Sequence, residues 1–229
     1  MSSPSPAIPP RSAPRTVGRP RAVPNLSGGA PREEILDAAA VLFSTVGYTA
    51  TSTRSIAQVV GLRQASLFHY FPRKEAILTE LLDRTVRPTL DVVRQLKAAG
   101  LGPETNLWIL VRSDVELLCR GPYNRGALLL LPEARGSQFD RFWRRRHRLF
   151  LFYRRQVLDG IDRGAFPAGI ATISPDLVFS FVESVIIARP VVRSNPSTPV
   201  TLADAALRIL GATTATIRTA QRRHEQGEL

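Results

Sequence analysis

At 229 residues the chain is long enough for one large or two small domains with real cores. Its 31 basic against 19 acidic residues leave a net charge of +12, which points to an acidic partner, with nucleic acid and a membrane surface as the candidates. No run approaches the ~18 apolar residues of a transmembrane helix, and the single Cys119 with scattered His69, His147 and His224 excludes a disulfide framework and argues against structural zinc.

Residues 1–30 are rich in Pro, Ser, Gly and Arg and contain no acid, the composition of a disordered basic arm. They lack the apolar core of a secretory signal, so the cytoplasm is the expected compartment. Within the arm, Gly18-Arg19-Pro20-Arg21 has the form of a minor-groove-binding segment. Glycine and proline keep the chain slim, and the guanidiniums of Arg19 and Arg21 would enter the negative potential of the groove. An ordinary solvated tail is the other reading. Basic charge is nearly all arginine, Lys74 and Lys97 being the exceptions. Genomic base composition and selection for phosphate-gripping forks both account for that.

Pro31 suits the first position of a helix, with Glu33, Glu34 and Asp37 near its positive end. Ile35, Ala39, Leu42, Phe43 and Val46 form its buried stripe, and Gly47 stops it. Two short helices follow over residues 51–74. Ser52 caps the first, Ile56, Ala57 and Val60 recur at helical spacing, and Gly61 breaks the run. Ala57 is small enough for the helices to cross closely. Arg63 or Gln64 opens the second helix, and Leu62, Leu67 and Phe71 continue the buried set. Helix, glycine turn, helix is the unit that lays its second helix in the major groove.

Taken with Pro31 to Gly47, this stretch resembles the tetracycline-repressor (TetR) family of bacterial regulators. The resemblance rests on Phe43, Gly47, Ser52/Thr53, Ile56/Ala57, Gly61, Leu67-Phe68-His69-Tyr70-Phe71 and Lys74, and covers about 45 residues. It implies an all-α fold. A three-helix DNA-binding domain (31–74, after the arm 1–30) would precede a helical ligand-binding and dimerisation domain (75–229). It also implies that Thr53, Arg54, Tyr70 and Lys74 hold the DNA backbone, fixing register without reading sequence, with Ser52 counted in the DNA-binding set. Gln64, Ala65, Ser66, Phe68 and His69 lie in the first turns of the second helix, where side chains reach base edges. Gln64 is the best base reader, because a carboxamide can pair with adenine; Arg63 can fork onto guanine or grip phosphate. Phe68 stands where family members usually carry tyrosine, and Ala65 where glycine or proline is commoner.

Beyond Lys74 the apolar spacing is helical throughout. Ala76, Ile77, Leu78, Leu81, Leu82 and Val86 mark a helix that Pro88 bends or interrupts, and Leu90, Val93 and Leu96 continue it to Gly100. Helices are expected over 104–119, briefly at 125–131, and over 137–163 up to Gly164. Residues 175–189 are apolar on nearly every face, and a Pro-rich loop at 190–199 separates them from the Ala/Leu/Ile-rich segment 201–223. A helix apolar all round must be buried. Val178, Phe181, Val182, Val185 and Ile186, with Leu207 and Leu210, are therefore the candidate homodimer interface; a deep core helix is the alternative.

Seven arginines and no acid occupy 141–155, either a solvated helix face or a second nucleic-acid surface. Arg146 falls inside the apolar stripe Phe139, Trp143, Phe150, Tyr153 and Val157. A lone buried guanidinium is too costly, so it must pair with Asp114 or meet an anionic ligand. Trp108, Phe142, Trp143 and Phe150 are either plain core or the lining of a ligand pocket around that pair. No catalytic constellation, cofactor-binding pattern or metal spacing is present, which disfavours an enzyme. The function expected is a homodimeric transcriptional regulator, a repressor with a small-molecule effector and a palindromic double-stranded DNA operator. An effector-independent architectural DNA-binding protein is the competing reading.

Overall fold

In the computed structural model, residues 30–120, 124–170, 174–192 and 195–227 are described. The expected arm, with Arg19 and Arg21, lies outside them. Among the described residues the chain is all helical. Ten α-helices follow in order: α1 (Pro31–Thr45), α2 (Thr53–Val59), α3 (Gln64–Tyr70), α4 (Lys74–Asp83), α5 (Arg87–Ala99), α6 (Pro103–Cys119), α7 (Asp140–Asp162), α8 (Ser174–Val192), α9 (Thr198–Ile209) and α10 (Thr214–Glu225). Three 3-10 segments at Arg125–Leu130, Pro132–Arg135 and Ser137–Phe139 connect α6 to α7.

The ends of the helices follow from local chemistry. Pro31 occupies the first turn of α1, where its missing N–H costs nothing. The run from Lys74 to Gly100 is split at residues 84–86, and Pro88 sits in the first turn of the new helix α5. Gly61, Gly164 and Gly211 take left-handed φ of 64, 74 and 76°. After each, the next N–H reaches back to close the helix: Leu62 to the Ala57 carbonyl, Ala165 to Gly160, Ala212 to Leu207. The expected segment 201–223 is thereby two helices, α9 and α10, rather than one.

One small core holds α1, α2 and α3 together through Ile35, Ala39, Phe43, Ile56, Ala57, Leu67 and Phe71, all buried. Val46, expected in that stripe, is 55% exposed because it is already the C-cap residue where the helix unwinds. The second core is built on α6, which packs against α5, α7, α8, α9 and α10. Leu107, Trp108, Ile109, Leu110 and Val111 are five consecutive buried residues there, so α6 is the helix enclosed on all sides. The Pro-rich loop also starts later than expected, since α8 runs through position 190 to Val192. Proline cannot donate to the carbonyl four residues back, at Ile186. The Asn124 side-chain amide donates to it instead, at 2.6 Å.

Gly160, in the last turn of α7, is required by a close approach rather than by its backbone angle. A Cβ there would collide with the ring of buried Phe166. Gly160→Ala is expected to destabilise the chain by about 1–3 kcal/mol, the usual cost of overpacking, lowering the melting temperature by roughly 2–4 °C per kcal/mol. Thermal unfolding followed by circular dichroism checks this, and an unchanged melting temperature would mean that Phe166 swings aside freely.

Candidate nucleic-acid interface

The two short helices are held rigidly. Ser52 accepts the Ser55 N–H at 3.0 Å, and Ser55 accepts the Ser52 N–H at 3.0 Å, a reciprocal cap on α2. The Ser52 hydroxyl, a candidate for gripping DNA, is thus engaged in starting the helix. Leu67 is the only buried residue of α3. With one side chain anchoring seven residues, the rest of the helix is turned outward: Gln64, Ala65, Phe68, His69 and Tyr70 are exposed, and Ser66 is half-buried. Phe68 and Tyr70 are 42% and 41% exposed, so neither ring is held in the core. Gln64 donates from Nε2 to the Thr53 hydroxyl at 2.8 Å, which fixes its rotamer and leaves its carbonyl and a second N–H outward.

Charge is arranged to match. Arg54 and Arg63 are exposed and, among the described residues, have no carboxylate within salt-bridge reach. The same is true of Arg73, which flanks α3 and which the sequence pattern gave no reason to single out. Arginines a few residues away behave differently: Arg32, Arg84, Arg87 and Arg125 all meet carboxylates. Unpaired cations therefore collect on the face that α3 presents.

Lys74 corrects the expectation. Its ammonium donates to the carbonyls of Tyr48 and Thr51, both at 2.8 Å, and lies 4.2 Å from the centre of the Tyr48 ring. Two of its three N–H bonds are spent closing the α1–α2 loop onto the start of α4, so it is an internal clasp before it is a phosphate grip.

The ligand candidates separate into two groups. Trp108 donates to Asp204 at 2.8 Å and lies 5.4 Å from the His224 ring, between α6, α9 and α10. Trp143, Phe150 and Arg146 come together at the other side of α6. The Arg146 guanidinium lies 5.5 Å from Trp143 and 4.9 Å from Phe179, and Phe150 meets Phe179 edge to face; Phe142 packs on Trp143 in the core. Arg146 pairs with Glu183 of α8, not with Asp114 as expected. Asp114 instead accepts hydrogen bonds from Thr89 at 2.8 Å and Tyr153 at 3.2 Å. The Glu183 carboxylate was invisible in sequence because α8 supplies it from 37 positions away. The cavity touching Asp114, Arg146 and Glu183 measures about 20 Å³, room for roughly one water. None of the four aromatic candidates lines it. Burial pushes the Asp114 carboxyl up to about 6 against the help of Thr89, Tyr153 and Arg146.

The interface candidates on α8 and α9 also move. Val178, Val182, Val185, Ile186, Leu207 and Leu210 are buried in the subunit's own core, because α6, α7 and α9 already cover three sides of α8. Of the expected set only Phe181 is partly open. The outward stripe of α8 is Leu177, Ser180, Phe181, Ser184, Ile187 and Ala188, with Ile187 77% exposed.

With this geometry in place, comparison with known proteins is informative. Residues 35–81 match the family described as bacterial regulatory proteins, tetR family. The crystal structure of Mycobacterium smegmatis AmtR is 41% identical, superposes with a TM-score of 0.78, and is covered over 96% of its chain by 88% of this one. The chain is a DNA-binding transcriptional regulator of the helix–turn–helix class. A transcriptional repressor of Rhodococcus jostii, KstR2, is 36% identical over 87 residues, which are 38% of this chain and 43% of that protein. The chain thus spans less than half the length of the curated relatives it matches. It belongs to the tetR family. AibR, solved with isovaleryl coenzyme A and operator DNA, shares the fold at 21% identity and a TM-score of 0.61 over 78% of this chain and 97% of that one.

Two expected outcomes follow from the buried polar groups. Lys74→Met strips two carbonyls of a charged donor and should lower unfolding stability by about 1.5–3 kcal/mol, whereas Arg54→Ala and Arg63→Ala should stay within about 0.5 kcal/mol. Urea denaturation separates them; a Lys74→Met protein as stable as the parent would show that the clasp contributes nothing.

Asp114 gives a pH dependence with a definite sign. Its folded pKa of about 6 lies above its ordinary 3.8, so between those values the folded chain holds a proton that the unfolded chain has released. Stability from this group falls as pH rises from about 4 to 6 and is fully lost above. Asp114→Asn should flatten that slope and stabilise the chain at pH 7 by roughly 1–3 kcal/mol. Melting temperatures of both proteins from pH 4.5 to 7.5 test it, and parallel profiles would rule it out.

Proposed function

We propose that the chain is a homodimeric repressor that holds a roughly palindromic operator and releases it when a small molecule binds. Residues 31–74 are the reading unit, residues 75–229 the effector and dimerisation domain, and residues 1–30 an arm that adds Arg19 and Arg21 in the minor groove. The cytoplasm is its place of work. The observation that carries the reading is α3. A seven-residue helix anchored by Leu67 alone turns Gln64, Ala65, Phe68 and His69 outward beside the unpaired Arg54, Arg63 and Arg73.

Two-fold symmetry is supported by α8. Its stripe of Leu177, Phe181 and Ile187 interleaved with Ser180, Ser184 and Ala188 combines apolar area with small residues that let a second helix approach. One reading helix per subunit then meets one half-site, and half-sites recur at the spacing of the two helices. An effector that favours a misfitting spacing with a coupling of about 1–3 kcal/mol would change occupancy roughly 5–150-fold.

Footprinting on the DNA that flanks the chain's own gene tests the reading. One protected palindrome is the expected result; diffuse protection would favour an effector-independent architectural protein. Gln64→Ala should relax preference at one base pair at a cost of about 1–3 kcal/mol, readable in a selection from random DNA, and an unchanged selected motif would remove Gln64 from base reading. Ile187→Glu places a charge in the outward stripe of α8. Sedimentation should find the parent dimeric and this variant monomeric, since burying an unpaired carboxylate costs several kcal/mol; a dimeric variant would move the interface elsewhere.

A further inference from the structure

The effector domain has a second concavity that none of the ligand-binding candidates read from the sequence lines. Where the end of α5, the start of α6 and the last three turns of α7 meet, a cleft of about 530 Å³ opens to solvent. That is the size of ordinary small-molecule sites. Its rim carries Lys97, Arg148, Arg155 and Arg163, contributed by two helices and the cap of one of them, against a single acid, Asp159. Asp159 lies 3.4 Å from Arg155 and offsets one of the four charges. Among the described residues, Lys97, Arg148 and Arg163 have no carboxylate within salt-bridge reach. Like charges crowded around a concave surface repel one another, so the arrangement favours an anion that neutralises them together.

The floor supplies a second, independent observation. Gln156 is 94% buried by its own chain, with only 6% exposed, and lines the cleft. Its carbonyl oxygen accepts from the Asn106 amide at 2.8 Å, and Asn106 also donates to the Leu101 carbonyl at 3.2 Å. These bonds fix the Gln156 carboxamide and leave its own N–H donors without a protein partner. A fixed, unspent donor at the bottom of a ring of guanidiniums is the pattern that binds an oxyanion.

We propose that this cleft binds an extended small polyanion, with Arg148 and Arg163 meeting its opposite ends and Gln156 between them taking one oxygen. Arginine suits that role better than lysine because its planar fork matches two oxygens at once. The occupant is small rather than a second stretch of duplex. Arg145 meets Asp83 where α7 passes α4, and Arg155 lies ten residues further along the same helix, about 15 Å away at 1.5 Å per residue. The cleft is therefore at the end of the bundle away from the DNA-reading helices. Binding stands by itself; its regulatory consequence rests on the repressor reading above.

The test is calorimetric titration of the full chain with sodium tripolyphosphate and, separately, citrate, at near-physiological salt. Saturable tripolyphosphate binding at one per chain is expected, with citrate weaker if phosphate is the preferred oxyanion and equal if clustered charge alone suffices. Arg148→Ala with Arg163→Ala should weaken it at least about tenfold, as loss of charge-assisted hydrogen bonds does. Arg141→Ala with Arg154→Ala removes the same charge from the same helix outside the cleft, and Arg54→Ala with Arg63→Ala removes it from the reading face. Both should stay within about twofold. All six arginines are exposed, so the variants should melt like the parent. No saturable binding, or an equal loss in all three pairs, overturns the proposal. Operator affinity of the ligand-free Arg148/Arg163 variant should equal the parent's. If neither protein recognises an operator, the repressor reading fails while the titration still decides the cleft.

Discussion

Helix α4 has to belong to two cores at once, and the rest of the structure depends on how it does so. Ile77, Leu78, Leu81 and Leu82 are completely buried, some against α1 and others against the 3-10 segment and α7. Its polar residues are shared in the same way. Glu80 and Arg84 meet Arg32 and Glu33 of α1, while Asp83 meets Arg87 of α5 and Arg145 of α7. Arg84 is held even more firmly charged than usual by its hydrogen bonds to Glu33, and Glu33 sits below the ordinary carboxylate range for the same reason. Exposed ion pairs each contribute little. These are partly buried and converge on one helix, so their effect is to fix its orientation rather than to supply much stability.

The division of the arginines into paired and unpaired sets explains how a chain of net charge +12 folds and still offers distinct surfaces. Where α1, α4, α5 and α7 meet, each guanidinium finds a carboxylate. Arg146, enclosed by two aromatic rings and drawn below its ordinary pKa by burial, finds Glu183. Among the described residues, arginines without a carboxylate partner include those of the α3 face and of the distal cleft, and others such as Arg141 and Arg154 stand singly on exposed helix surface. Repulsion within those two sets is tolerable because water and salt screen it. It is relieved further when an anion arrives, which is why unpaired charge marks a binding surface better than total charge does.

Much of the local structure was legible because it is encoded locally. Ser52, Pro31, Gly61, Gly100 and Gly164 each start or stop a helix by a rule that involves only a few neighbours, and the spacing from Phe43 to Lys74 was enough to identify the helix pair. What was not legible depends on distant partners. Asn124 takes the carbonyl that position 190 cannot serve, so α8 continues where a Pro-rich loop was expected. Lys74 turns inward because the Tyr48 and Thr51 carbonyls happen to face it. Composition could show that residues 175–189 are apolar, but not that α6, α7 and α9 already cover three sides of them. The cleft was missed for a related reason. Arg148 and Arg155 were visible as part of a basic run, whereas Lys97, Arg163 and Gln156 join them only once α5 and α7 are side by side.

The same contacts decide how a change in the bundle can reach DNA. The α1–α3 core residues are buried, and Lys74 clasps the loop after α1 to the first residue of α4, which ties the four helices together. The other end of α4 is different. Its link to α5 is a short unwound stretch through Val86, whose φ of −130° and ψ of −30° are not helical. Its link to α7 combines apolar packing with the partly buried ion pair of Arg145 and Asp83. An unwound stretch of backbone turns more readily than a packed core deforms. A shift of α7 relative to α5 therefore meets its least resistance at residues 83–87. Under the proposed function such a shift would turn α4 together with α3, and in the proposed two-fold assembly a small turn of each subunit would change the distance between the two reading helices by twice its projection.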